Sequence, residues 1–495
     1  MTVDLEKAVN SLDRTFETWS PPPGPAPARV LVSALIAGLV SAAALGDVFG
    51  GGLGINVVIA AVVVALAVLP SARSAGRVDL TGAGFALAAL CLVSVGAVRD
   101  AAWIVGLCMA ASVPLISYAL VGGRSWTHVL AGGLALPFAG GRMLPWAGSG
   151  VRAVARSGRG PATLPIIWAT LTAIGLLLVF GALFAGADAA FRDLLGHLVP
   201  PVSVGTSLWQ VLVCVAVIGF VLAATFLALA PPPVSELVSP PGRPAGRWVW
   251  AVPLVALNLL FVAFAAVQAT VLLTADKDRL LRSTGLGYAE YARQGFFQLV
   301  IVTVLVLVVV AVAVRYAPRG SVADRAVVRS LLGALCGLTL VVVAVALRRL
   351  YLYEEAYGWT RLRLWVHAFE LWLGVVIVLI AAAGIRLRAA WLPGAVAGSA
   401  AAALITLAAL NPDGFIAQHN VARYNETGKL DTQYLYGLSA DAVPALRGLP
   451  EPHRVCALEH FAQRLDHDEG RLSANLGRHR ARAIVADRAV PTESC

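Results

Sequence analysis

Charge is scarce in this chain. Only 13% of its residues are Asp, Glu, Lys or Arg, against about 25% in soluble globular domains, while 59% are hydrophobic. A mean hydropathy of +0.79 excludes a water-soluble globule, because so much apolar surface cannot be hidden in one core. A bilayer must act as the solvent. The motifs of the common catalytic chemistries are missing as well. There is no P-loop, no His-x-x-x-His and no nucleophile elbow. The glycine-rich stretches Gly50–Gly54 and Gly140–Gly141 lack a strand-turn-helix context and read as helix packing or loops. No cofactor and no metal is expected.

No cleavable leader is expected at the start of the chain. Met1–Ser20 is polar and acidic, Pro21–Pro27 is a stiff polyproline-like spacer, and the first span is expected to serve as an uncleaved anchor. Cysteine is sparse too. Cys91, Cys108, Cys214 and Cys336 lie in apolar runs, where cysteine behaves as a small hydrophobe; Cys456 and Cys495 lie in the polar tail at a spacing that matches no metal motif. If the tail faces an oxidising compartment, a Cys456–Cys495 disulfide is chemically allowed.

What the chain does have is long apolar runs. Stretches able to span about 30 Å of hydrocarbon fall near 29–49, 52–71, 79–98, 101–122, 163–187, 206–230, 248–274, 295–314, 327–347, 364–385 and 391–410. That is about eleven spans. Residues 125–148, broken by His128, Arg142, Pro137, Pro145 and glycines, read as an interfacial or re-entrant element, with a twelfth span as the alternative. The net charge of +10 comes from arginines scattered between the runs, which argues for positive-inside topology and against nucleic-acid binding. With a cytoplasmic N-terminus, the cytoplasmic loops hold Arg73 and Arg77, Arg152, Arg156 and Arg159, Arg243 and Arg247, Arg315, Arg319, Arg325 and Arg329, and Arg386 and Arg388. The early opposite loops are nearly free of uncompensated basic residues, so the tail Asn411–Cys495 is expected outside.

Three mixed-charge clusters then share the outer face: Asp276–Gln298, Arg348–Glu370 and Asn411–Asp441. Taken singly, each can be an aromatic belt with snorkelling arginines. Three together point to loops and tail folding into a cap with a polar pocket. Glu290 with Arg293, and His367 with Glu370, are spaced three apart and share a helix face. Glu370 lies several positions inside an apolar helix, where an ionisable group costs about 2–3 kcal/mol or more unless paired; a structural pair with His367 or a cluster arginine competes there with a catalytic or coupling role.

Tyr288–Phe296 (YAEYARQGF), Tyr351–Arg363 (YLYEEAYGWTRLR), and Asn420–Asp431 (NVARYNETGKLD) followed by Tyr434–Pro444 resemble, in order, the motifs of an uncharacterised bacterial family, domain of unknown function 4173, with its sister 4153. Asn475–Arg478 and Ala481–Arg482 resemble its closing element. The resemblance covers the second half of the chain and implies a polytopic membrane protein without an assigned activity.

The expected fold is all-α: a polytopic helical bundle with a small helical C-terminal extramembrane domain. Its segments are 1–28 (cytoplasmic, Pro-rich linker), 29–274 (first transmembrane half), 275–410 (second half with two polar outer loops) and 411–495 (extracytoplasmic tail). The expected partners are membrane lipids and a lipid-linked or anionic ligand, and not nucleic acid; the sequence specifies no oligomeric state. Candidate ligand-binding residues are Tyr288, Glu290, Tyr291, Arg293, Arg348, Arg349, Tyr357, Arg361, Arg363, Asn420, Arg423, Lys429 and Asp431. A transporter or flippase, and a membrane-embedded transferase or hydrolase, are the alternatives. The enzyme would use Glu370, Glu354 or Glu355 with His367 as acid and base.

Overall fold

A computed structural model of the chain describes residues 19–46, 48–157, 204–234, 246–273, 296–317, 320–386, 389–466 and 470–487, with scattered positions between 173 and 191. The expected span at 163–187 falls mostly outside these residues. So do Tyr288, Glu290, Tyr291, Arg293 and Cys495.

Every element among the described residues is helical. The long helices are α1 (Ala28–Ala44), α2 (Ile55–Ser74), α3 (Leu80–Val98), α4 (Ala102–Val121), α5 (Trp126–Ser157) and α6 (Val204–Leu229). They continue with α7 (Arg247–Leu273), α8 (Phe296–Tyr316), α9 (Val322–Tyr357), α10 (Arg361–Arg386) and α11 (Leu392–Ala409). The tail adds α12 (Pro412–Thr427), α13 (His453–Leu465) and α14 (Leu476–Ala486), with single turns between them. Nine helices among the described residues, α2–α4 and α6–α11, are long and apolar enough to cross a membrane. With 17 residues, α1 is at the short limit. Helix is forced on such segments because hydrocarbon offers backbone N–H and C=O groups no partner except each other.

The chain divides into two compact units, one of residues 1–237 with Ala462–Ala486 and one of Val238–Phe461 with the last residues. The tail is thus shared between them.

In the first unit α1 and α6 run antiparallel. The Trp209 indole donates to the Leu45 carbonyl at one end (2.8 Å), and the Trp19 indole to Ala230 at the other (2.6 Å). The core between them is lined by Ala34, Ala37, Leu136, Met143, Trp146, Val221 and Phe226. Helix α5 is one unbroken helix of 32 residues, not a re-entrant hairpin. It does not run along the bundle. Its first half is tied to the end of α4 through Ser117, whose hydroxyl donates to the Gly132 carbonyl (2.5 Å) and accepts from the Leu136 amide (2.9 Å). Those are two groups that an undisturbed helix would join to each other. Its second half meets the start of α1 and the end of α6: Arg142 donates to the Trp19 carbonyl (2.8 Å), Trp146 packs edge-on against Phe226 (5.9 Å), and Gly150 lies against the Ala26 backbone. Helix α5 therefore lies across one end of the unit.

The opposite end is closed by the tail. Asn475 donates to the carbonyls of Gly96 (2.9 Å) and Arg99 (3.0 Å), and Arg478 reaches Asp100 (2.9 Å) and the carbonyls of Gly51, Leu53 and Ser473. The Ala474 carbonyl accepts the Ile55 amide at the start of α2 (3.0 Å).

In the second unit, the Asn258 amide on α7 reaches the Leu331 carbonyl of α9 (3.2 Å), and Arg247 pairs with Asp324 at their shared end. Ser321 caps α9 by accepting the Asp324 amide (3.0 Å). At 36 residues, α9 is about 54 Å long, well beyond the hydrocarbon thickness of about 30 Å. Its polar last turns therefore stand clear of the apolar zone. The stretch Arg348–Glu370, read as a connector from sequence, is mostly helix: only Gly358–Thr360 separates α9 from α10.

Candidate functional site

The site lies where α9 and α10 meet under the tail of the second unit. Gly358 ends α9 in a positive-φ conformation (φ 81°), and a β-carbon there would stand 2.8 Å from Asn420 Oδ1. Only glycine suits both demands. Asn420, on α12, accepts the Trp359 amide (2.7 Å) and donates to the Trp359 carbonyl (2.9 Å). Arg423, one turn further on, donates to the carbonyls of Glu355 (3.1 Å) and Ala356 (2.6 Å). A cation on the last carbonyls of a helix satisfies groups that have no intrahelical partner and complements the dipole. Arg363 lies over the Tyr353 ring at 4.3 Å and donates to the Gly358 carbonyl.

Arg361 is the hub. Its guanidinium grips both oxygens of Asp413 (3.0 and 2.6 Å) and reaches the Gly437 carbonyl, while its amide donates to the Tyr434 hydroxyl (2.7 Å). Asp413 is 0% exposed and also accepts the Ser439 amide (2.8 Å). This planar, doubly bonded pair is the strongest polar tie of the cap. Burial raises the Tyr434 phenol above its ordinary pKa, so it remains a neutral acceptor for the Arg361 amide.

Beneath the cap the pattern reverses. Glu354, in the last turn of α9, is 1% exposed, and neither carboxylate oxygen has a hydrogen-bond partner among the described residues. His367 Nδ1, on α10, is 3.5 Å away. Glu370, 0% exposed, accepts one bond from the Thr303 hydroxyl of α8 (3.3 Å), and its Oε2 has no hydrogen-bond partner among the described residues. The Trp359 ring stacks on His367 (6.0 Å) and borders His419 (5.2 Å) and Phe415 (5.0 Å). The arrangement offers acceptors and aromatic faces, with the nearby guanidiniums engaged elsewhere. Among the described residues, no group of three or more His, Cys, Asp and Glu gathers to hold a metal.

The sequence candidates separate accordingly. Glu354 and His367 meet beneath the cap, and Glu370, one turn further along α10, is buried against Thr303. Glu355 is exposed: its carbonyl accepts from Arg423 and its carboxylate accepts from the Tyr351 hydroxyl one turn earlier on α9. Asn420, Arg361, Arg363 and Arg423 hold the cap together. Lys429 and Asp431 are exposed at its edge, the first giving its carbonyl to Arg423 and the second capping the turn at Tyr434. Tyr357 and Arg348 are exposed, and Arg349 turns to Gln268 (3.4 Å) on α7. Cys456 is disulfide-bonded. Residues not singled out from sequence include Asp413, Tyr434, Trp359, His419 and Thr303. Asp413 had a signal, an acid in the first turn after Asn411-Pro412. A threonine within an apolar run, such as Thr303, carries none.

A family model described as a domain of unknown function (DUF4153) matches residues 86–449. The number 4173 suggested by the motifs is thereby corrected to its sister. The match begins in α3, so it reaches far into the first half, and it stops before the Asn475–Arg482 element. No curated protein and no solved structure matches the chain. With nine membrane-length apolar helices among its described residues and a match over most of its length, this multi-pass membrane protein belongs to the DUF4153 family.

Proposed function

We propose that the protein resides in a bacterial cell membrane with its N-terminus cytoplasmic and its tail extracytoplasmic, and that it binds a lipid-linked ligand of the cell envelope at the outer face. The binding site is the interior beneath the second unit's cap. One observation carries this reading: Glu354 is buried with neither oxygen meeting a hydrogen-bond donor among the described residues, 3.5 Å from His367 and below a ring cluster. Buried carboxylates are normally paired or hydrogen-bonded.

The chemistry that suits the site is an ammonium group. Its three donors suit the Glu354 oxygens, which lack donors among the described residues, and aromatic faces such as Trp359 favour cations by about 0.5–2 kcal/mol. An anionic ligand held by Arg361, Arg363 and Arg423 is less well supported, because those guanidiniums already bind Asp413, the Tyr353 ring and the ends of α9. The test is lipid retention by the purified full-length protein, read by native mass spectrometry. Phosphatidylethanolamine is expected to be retained over phosphatidylcholine by wild type, and Glu354→Gln is expected to remove most of that preference. Equal retention by both proteins would refute the reading.

Transport is the second reading, and Glu370 favours it. Nine residues into α10, it lies about 13 Å below the helix start, at the depth where transporters keep ionisable groups. Uptake or flipping of a labelled aminolipid in proteoliposomes, lost in Glu370→Gln with binding intact, would place transport above binding.

A further inference from the structure

At the end of the first unit where α5 lies crosswise, the described charges are Arg29, Arg73, Arg77, Arg124, Arg142, Arg152 and Arg156 against a single acid, Asp79. The acid is already used, accepting the Gly82 amide at the start of α3 (2.7 Å). Arg77 and Arg142 turn inward to the carbonyls of Val121 and Trp19. Arg29, Arg73, Arg124, Arg152 and Arg156 are exposed.

Helix α5 has two unlike faces. One packs Ala135, Leu136, Ala139, Met143, Trp146 and Ala147 into the core. The other exposes Trp126, Leu130, Leu134, Phe138 and Leu144, an arc of roughly 120° at 100° per residue. The same arc ends two turns later in Arg152 and Arg156. A soluble face would not expose a tryptophan, a phenylalanine and three leucines in line, and a spanning helix would not lie across its bundle. A helix at the membrane–water boundary does both.

We propose that this end of the first unit is a docking surface for anionic phospholipid headgroups. The apolar arc of α5 rests in the edge of the hydrocarbon. Arg124 before the helix, Arg152 and Arg156 at its end and Arg29 beside it meet the phosphates of the adjoining leaflet. The partner is chosen by charge complementarity: several exposed guanidiniums with one occupied carboxylate favour a lipid carrying net negative charge over a zwitterionic one. The inference does not rest on the aminolipid reading, which concerns the second unit.

The test uses the full-length protein in a neutral detergent, with phosphatidylglycerol and phosphatidylcholine as probes and native mass spectrometry as readout. Each basic residue near an anionic surface strengthens binding about fivefold. Wild type should therefore retain phosphatidylglycerol at least tenfold better than phosphatidylcholine. The variant carrying Arg29→Gln, Arg73→Gln, Arg124→Gln, Arg152→Gln and Arg156→Gln should bring that ratio to within about twofold, and the matching lysine variant should restore most of it. Equal retention of the two lipids by wild type would overturn the proposal. So would a glutamine variant that keeps the preference, or a folded lysine variant that loses it, since charge would then not be what the surface reads.

Discussion

The tail closes both units, but it closes them differently. On the first unit Asn475 and Arg478 bind loop carbonyls and a loop carboxylate, and the acid there, Asp100, has its cation at 2.9 Å. On the second unit the cap ties itself down through Arg361–Asp413, Asn420 and Arg423, yet leaves Glu354 and Glu370 beneath it with unbonded oxygens among the described residues. A satisfied end is architecture. An end that spends its arginines on itself and leaves buried carboxylate oxygens without donors among the described residues is the one on which the proposed ligand reading rests, because buried carboxylates are normally paired or hydrogen-bonded.

The comparison can be broken most forcefully at Asp413. Asp413→Ala leaves Arg361 without its buried partner and should cost about 3 kcal/mol. The cap should then be cut by protease near 428–437 under conditions where wild type is intact. If the variant resists proteolysis like wild type, the cap is not held by this pair. Next in size is Asn475→Ala. Losing two good bonds to loop carbonyls should cost about 1–3 kcal/mol and free the α14 segment to proteolysis, with cleavage in the 428–437 region unchanged. Gly358→Ala should cost about 1–2 kcal/mol from the positive φ alone and should lower the cap's thermal transition, although no ion pair is touched.

The smallest effect concerns histidine. His128, at the start of α5, is held below its ordinary value near 6.5 by burial, and its Nδ1 is 2.6 Å from the Ser125 hydroxyl. A folded-state pKa below the unfolded one means that the unfolded chain takes up more protons as pH falls through about 6.5. The contribution to stability is therefore complete above that pH and shrinks below it. Melting of wild type should weaken slightly from pH 7 to pH 5.5, and His128→Gln should flatten that slope; an identical slope in the variant would remove His128 as its source.

Much of the fold was legible because a bilayer imposes a length and a composition that can be counted. The apolar runs at 79–98, 101–122 and 391–410 correspond closely to α3, α4 and α11. The long polar end of α9 was not legible: a helix leaving the hydrocarbon looks in sequence like a loop. Helix α5 hid for another reason. Pro137 and Pro145 suggest a break, but the helix continues past both, with the Ser117 hydroxyl standing between Gly132 and Leu136. At the site, the sequence singled out Arg361 but named no protein partner for it, because Asp413 lies 52 residues away. Glu354 and Glu355 are neighbours with opposite fates, one buried and one exposed. A rotation of 100° along a helix decides that, and only packing fixes the rotation.

Asn420 reads Trp359 through its peptide group rather than its ring, taking the amide and giving to the carbonyl. Any residue at 359 except proline would present the same two atoms. Evolution can therefore change the ring at this position without unfastening the cap, so shape and selectivity there are free to drift independently of assembly. Asn420 itself has no such latitude: aspartate would keep the acceptor, lose the donor, and set a negative charge against a carbonyl.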